Sequence, residues 1–408
     1  MTQTTSRRFF IKSGAMAMVS LGFAPSFLAR TAEAATGRRR LLITIFQRGA
    51  VDGLNMVVPF GESAYYQLRP SIAIPRPGGT GTALDLDGFF GFHPSMAPLT
   101  PLWDNRSLAV VHACGSPDST RSHFDAQDYM ESATPGVKST RDGWLNRYLQ
   151  LDSTERNPLR GVAVARQMPH SLQGRAASLA VGGVDEFQVR GDMDAQRALE
   201  NAFSRDKVLG GTAADAFEAM RTLRAKTGGA YQPAAGISYP RSPFGQAMQE
   251  IARIAKADVG LEIAFAESGN WDHHANEGGV TGQVANRLAD LSQGLAALAA
   301  DLGDRMADTI IMTMSEFGRT VAENGSAGTD HGHGNAMLLM GGPVRGGRVY
   351  GQWPGLSEER RFEGRDLAVT TDFREVFGEV VARHLGAPAD AVGRVFPGFT
   401  ARGGLGVV

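Results

Sequence analysis

The chain has 408 residues, 42% apolar, 20% charged and 8% aromatic, which excludes intrinsic disorder as a description of the whole. A formal net charge of -1 offers no basic field for nucleic acid, and a single cysteine, Cys114, excludes an internal disulfide or a thiolate zinc site. Any metal must therefore be held by histidines and carboxylates.

Residues 6–12 read Ser-Arg-Arg-Phe-Phe-Ile-Lys, followed by an uncharged stretch from Gly14 to Ala29, then Arg30 and Ala32-Glu33-Ala34-Ala35. Charged, apolar and small-residue regions in that order predict an export signal over 1–34, and the pair Arg7-Arg8 resembles the twin-arginine signal of bacteria. Sixteen uncharged residues interrupted by Pro25 fall short of the ~20 needed to cross a bilayer, so no stable membrane span is expected. The implied partner is the twin-arginine export machinery and the implied location periplasmic or otherwise exported. That route carries folded cargo, which suits a protein that takes up a metal before export.

Residues 35–408 read as a single domain of alternating strands and helices. Leu41 to Phe46 is a buried strand, with Asp52 just past its end, either as a turn former or as a site carboxylate. Leu108 to Ala113 is a second strand, and Ser122 to Ala133 a helix with Phe124 and Met130 inward. At its start Ser119, Thr120 or Ser122 can act as the N-cap; alternatively Arg121 and the helix terminus hold an anion that a hydroxyl of Ser122 or Thr120 attacks. Gly161–Ala165 and Ser178–Val181 are weaker strands, and residues 192–257 form a mainly helical segment covering the sheet. Then follow Gly260–Ala266 as strand, Val280–Leu302 as a long amphipathic helix, Asp308–Met314 and Ala336–Met340 as strands, and Thr370–Leu385 as a helix. Gly341–Gly347 reads as a hairpin loop. The alternation predicts an α/β three-layer sandwich with a largely parallel central sheet, whose ligand site lies beyond the carboxyl ends of the strands.

Polar residues gather at those ends. In Trp271-Asp272-His273-His274 an extended chain brings Asp272 and His274 to one side and turns His273 away. Ser315-Glu316-Phe317-Gly318-Arg319 follows a later strand, and Thr329-Asp330-His331-Gly332-His333-Gly334 repeats the i, i+2 spacing between glycines that let the backbone approach an ion. This set suits a divalent metal, Zn, Mn or Fe. His93 reads as a capping or buried histidine, His112 as core, His384 as a partner of a helix dipole and Cys114 as a small buried residue.

Val51-Asp52-Gly53-Leu54-Asn55, Phe92-His93-Pro94, Arg121-Ser122-His123-Phe124, Trp271-Asp272-His273-His274, Ser315-Glu316-Phe317-Gly318-Arg319-Thr320 and Gly328-Thr329-Asp330-His331-Gly332 resemble the DUF1501 family of exported bacterial proteins. The resemblance implies a fold of the alkaline phosphatase and sulfatase superfamily. It implies Asp52, Asp272, His274, Glu316 and His331 as metal ligands, Ser122 or Thr120 as nucleophile, and Arg121 or Arg319 as the cation that neutralises a transferred phosphoryl or sulfuryl group. Phe317 stands where that superfamily has a ligating histidine, and His333, His123 or Asp330 could substitute for it. With a single ion, Asp272, His274 and His331 form the set retained. The implied function is metal-dependent hydrolysis of a small anionic phosphate or sulfate ester; the alternative, which Phe317 favours, is a catalytically degenerate binding or assembly module at the cell envelope.

Overall fold

The computed structural model describes residues 39–152, 154–155, 157–184 and 210–408. The export signal expected over 1–34 and the start of the helical segment expected at 192–257 lie outside the described residues.

A nine-stranded sheet organises the chain: β1 (Leu41–Gln47), β2 (Leu108–Gly115), β3 (Gly161–Val164), β4 (Leu179–Val181), β5 (Ile263–Ser268), β6 (Thr309–Met314), β7 (Asn335–Met340), β8 (Arg348–Tyr350) and β9 (Thr371–Asp372). Their order is β8-β2-β7-β6-β1-β5-β3-β4, with β9 alongside the last residues of β2. Central β1 is β-branched and apolar and wholly buried, paired in parallel with β5 and β6. Its side chains alternate between two cores. Leu41, Ile43 and Ile45 face the layer of α3 (Pro243–Lys256) and α4 (Gln283–Leu302), whose Met248, Ile251, Leu288, Leu291, Leu295 and Leu298 are buried. Leu42 and Phe46 face the opposite layer with Trp144, Phe377 and Phe396. Each such aliphatic side chain contributes roughly 1.5–3 kcal/mol, so the sheet is held from both sides as the sequence predicts. The helical cover is in two described pieces, α2 (Gly210–Thr227) and α3, and no helix among the described residues is long and apolar enough to cross a membrane.

Four expectations change. β7 is antiparallel to both of its neighbours, β2 and β6. Gly341–Gly347 is consequently no hairpin: Gly341 and Gly347 donate to the Ser107 and Leu108 carbonyls (2.9 and 2.8 Å), carrying the chain past the start of β2 so that β7 and β8 flank it. Thr370–Leu385 opens with β9, and Asp372 then caps α5 (Phe373–Glu379) by accepting from the Arg374 N–H (2.9 Å). In α1 (His123–Ser132) Met130 is buried, but Phe124 is 90% exposed because His123, Ala126, Gln127 and Met130 make the inward stripe.

Candidate metal centre

The loops at the carboxyl ends of β1, β5 and β6 interlock through their backbones. Gly49, at φ +108°, is followed by Asp272 so closely that a Cβ there would lie 2.8 Å from the Asp272 nitrogen. Trp271 is buried beneath, its indole N–H donating to the Ser268 carbonyl at 2.9 Å, which fixes the stretch carrying Asp272 and His274. The loop from β6 to β7 folds back on itself through an antiparallel bridge between Arg319 and His331. A Cβ on Gly332 would stand 2.4 Å from the Arg319 carbonyl carbon and one on Gly334 2.7 Å from the Leu367 carbonyl oxygen, so the glycines framing His333 admit a second backbone instead of an ion.

Three imidazoles meet one carboxylate there. Asp272 Oδ1 lies 3.0 Å from His274 Nε2, 3.3 Å from His331 Nε2 and 3.5 Å from His123 Nε2, and the Nε2 atoms of His274 and His331 are 2.9 Å apart. Behind each ring stands an acceptor: the Arg121 carbonyl 2.8 Å from His331 Nδ1, Glu316 Oε1 2.9 Å from His123 Nδ1, and Asp330 Oδ1 3.1 Å from His274 Nδ1. Carbonyl and carboxylate oxygens only accept, so each neutral ring carries its proton on Nδ1 and presents a bare Nε2. His123 Nε2 is buried without a hydrogen-bond partner among the described residues. Lone pairs so close to one another and to a carboxylate oxygen are relieved by a positive charge among them, a proton or a metal ion. These four spacings bracket the roughly 3.3 Å edge of a tetrahedron with bonds of about 2.0–2.1 Å, the ligand atoms of His123, Asp272 and His331 all lie within 4.8 Å of one another, and acceptors behind the imidazoles are what orients metal-bound histidines. The residues fit one divalent cation of the zinc, manganese or iron kind.

Burial works to raise the Asp272 carboxyl, but the hydrogen bond and charge of Arg319 hold it down at about 2. Arg319 is itself buried and donates to Asp272 Oδ1 (2.6 Å), to the carbonyls of Ala50 (2.7 Å), Trp271 (3.0 Å) and Thr329 (3.1 Å), and to Gly49. It ties three loops together and is wholly buried, so it offers no donor to a substrate. Burial likewise opposes ionisation of Glu316, yet hydrogen bonds from His123, Gln127 (2.8 Å) and the Gly49 N–H (2.8 Å) keep its carboxyl below the usual range. In turn the Glu316 hydrogen bond raises His123 against its burial, whereas burial lowers His331. Phe317 walls the cluster, its ring centroid 4.9 Å from that of His123 and 5.0 Å from that of His331.

Of the residues singled out in the sequence, Asp272, His274 and His331 converge, while Glu316 and Asp330 stand one layer behind as acceptors for histidines. Asp52 is elsewhere: it is buried with both carboxylate oxygens on the Arg69 guanidinium, Oδ1 at 3.0 Å from Nη2. His333 does not share the side of His331. The chain bends between Gly332, bonded to Gly318, and Gly334, bonded to Leu367, and the His333 ring stacks on Phe362 at 4.3 Å. His123 is the ligand-type residue that strand-end reasoning left as a mere substitute; its signal was its place at the first position of a helix, one turn before Gln127, with which it shares Glu316. Ser122 caps that helix, its exposed hydroxyl 3.5 Å from the Asp125 nitrogen, and the Thr120 hydroxyl accepts from the Ser122 N–H at 3.3 Å. A cleft of about 990 Å³ adjoins the centre through Gln127 and is lined by Arg48, Glu131, Arg166, His170 and Glu267. His93 accepts from the Ser95 N–H (3.0 Å) as a cap, His112 pairs with the Val57 carbonyl (3.0 Å) in the core, and His384 pairs with the Leu41 carbonyl (2.9 Å).

Over residues 39–392 the sequence matches the model of DUF1501, a protein of unknown function. No curated protein matches. Among solved structures the chain is similar to the PsFucS1 sulfatase from Pseudoalteromonas sp. (13% identity, TM-score 0.38, covering 90% of this chain and 73% of that one). It is similar also to the C-terminal periplasmic domain of EcEptC from Escherichia coli, in complex with Zn (9% identity, TM-score 0.36, covering 75% and 74%). A third is Ps i-CgsB in complex with k-i-k-neocarrahexaose (10% identity, TM-score 0.38, covering 86% and 73%).

Proposed function

The chain belongs to the DUF1501 family, and from that premise we propose that it is an exported hydrolase of phosphate or sulfate esters working with one divalent cation. The observation that carries the reading is the convergence of three bare Nε2 atoms on Asp272 Oδ1. His123, His274, His331 and Asp272 would hold the ion, which when bound supplies Lewis acidity to polarise an ester oxygen and acidify water. The reading takes one ion because, among the described residues, the carboxylates expected for a second are engaged otherwise: Arg69 neutralises Asp52, and Glu316 accepts from His123, Gln127, the Gly49 N–H and Ser315. Ser122 carries the attacking hydroxyl, exposed at the start of α1 one residue before His123, where the helix terminus favours the anion. Thr120 holds the turn beneath it.

Metal analysis of protein recovered through its own export route, followed by turnover of chromogenic phosphate and sulfate esters, tests this reading. His331→Ala and Asp272→Ala should each lose bound metal while remaining folded; full occupancy in both would refute the centre. Ser122→Ala should keep its metal and lose turnover by at least about 100-fold, the usual scale for removing a principal catalytic group. Activity retained in that variant assigns the attack to water.

A further inference from the structure

The sequence offers Arg121 and Arg319 as cations for a substrate anion, and Arg319 is wholly buried against loop carbonyls and Asp272. A different pair stands beside His331. The carboxylate of Asp366 is wholly buried and holds two guanidiniums at once: Arg121 through Nε (3.0 Å) and Nη2 (2.6 Å), and Arg365 through Nε (2.8 Å). Both arginines also touch His331, one at its ring and the other at its backbone. The carbonyl of Arg121 takes the His331 Nδ1 proton, and Arg365 Nη2 donates to the His331 carbonyl. Arg365 is 46% exposed, and among the described residues its Nη1 has no hydrogen-bond partner. The remaining anion in the group, Glu363, is 56% exposed and lies 2.7 Å from Arg121 Nη2. A buried carboxylate that aligns two guanidiniums next to a metal ligand, with a single exposed carboxylate on their open side, is suited to a tetrahedral oxyanion. The Nη1 of Arg365 and the Nη2 of Arg121 that Glu363 occupies can engage its oxygens, so Glu363 holds one of the places such an anion would take.

The geometry points to Arg365, paired with Arg121 across Asp366, as the residue that binds the phosphoryl or sulfuryl oxygens of the substrate. This rests on the hydrolase reading above, in which the Nε2 of the same His331 faces the metal ligands. Asp366 is the positioning residue: it keeps both guanidiniums in register and touches no substrate. Glu363 is the competitor that an incoming anion displaces.

Inorganic phosphate binding to the full chain, measured by titration calorimetry on metal-loaded and on chelator-stripped protein, tests the assignment. Arg365→Met should weaken phosphate at least about tenfold in both forms, the loss of one charge-assisted contact, and Arg365→Lys should restore part of it. Glu363→Gln should tighten phosphate several-fold by freeing Arg121. Comparison of the stripped forms removes any effect passing through His331 to the metal. Equal affinity of the stripped wild type, Arg365→Met and Glu363→Gln overturns the proposal, as does stripped wild type that binds no phosphate. Protein that never takes up metal, yet loses phosphate on Arg365→Met, sinks the metal reading and leaves the anion site standing.

Discussion

Glu277 lies wholly buried against Asp52, which the sequence presents as a ligand and the fold uses otherwise. Burial, and then the charge of Asp52, push the Glu277 carboxyl well above the ordinary range, while one of its oxygens accepts from the Thr329 hydroxyl at 2.7 Å. Burial opposes ionisation of Asp52 too, but Arg69 grips both of its oxygens and keeps it ionised, so of the two carboxyls Glu277 is the one that holds a proton. The folded chain therefore binds a proton that the unfolded chain releases above the usual glutamate range. The stability this contributes is complete below that range and is lost as the pH rises. Glu277→Gln keeps the Thr329 hydrogen bond without the charge. It should flatten the fall in melting temperature as the pH rises above the usual glutamate range and be the more stable protein there. An unchanged slope would place the proton elsewhere.

Among the elements, the strands were readable because β-branched apolar runs ended at charged or glycine-rich stretches, and the helix Gln283–Leu302 because its leucines recur at helical spacing. Leu295 lies fully inside that stripe, so Leu295→Ala should cost about 2–5 kcal/mol in chemical denaturation while leaving metal content unchanged. A loss of metal in that variant would mean that the helical layer supports the centre more directly than its position suggests. The direction of β7 could not be read, because period-two alternation is the same whichever way a strand runs. The side chains of the centre were readable where neighbours in sequence are neighbours in space, as with Asp272 and His274. They were hidden where the partner is distant: His123 acquires its role from Glu316, 193 positions away, and Asp52 loses its role to Arg69. Phe124 was misjudged because its hydrophobicity was weighed without the angle it takes on the helix.

For the molecule as a whole, burial holds several histidines neutral in the fold: His112 and His273, each lowered to about 4, together with His93, His333 and His384, each lowered from its ordinary value. A histidine with a depressed folded pKa contributes stability that is complete above about 6.5 and is lost as the pH falls. The melting temperature should accordingly drop between pH 6.5 and 5, each group adding a slope of up to about 1.4 kcal/mol per pH unit, and His112→Gln should soften the drop. A profile that is flat over this interval in the wild type would contradict the assignment. The reversed strand has a wider consequence. Since β6 and β7 are adjacent and antiparallel, the excursion from Ser315 to Gly334 departs and returns through neighbouring positions roughly 5 Å apart, and it brings Glu316, Arg319, Asp330 and His331 with it. It is a cassette inserted at a single seam of the scaffold, so a lineage could replace His331 and the residues that brace the other ligands in one contiguous stretch of sequence while every strand, and the loops carrying His123, Asp272 and His274, stayed where they were.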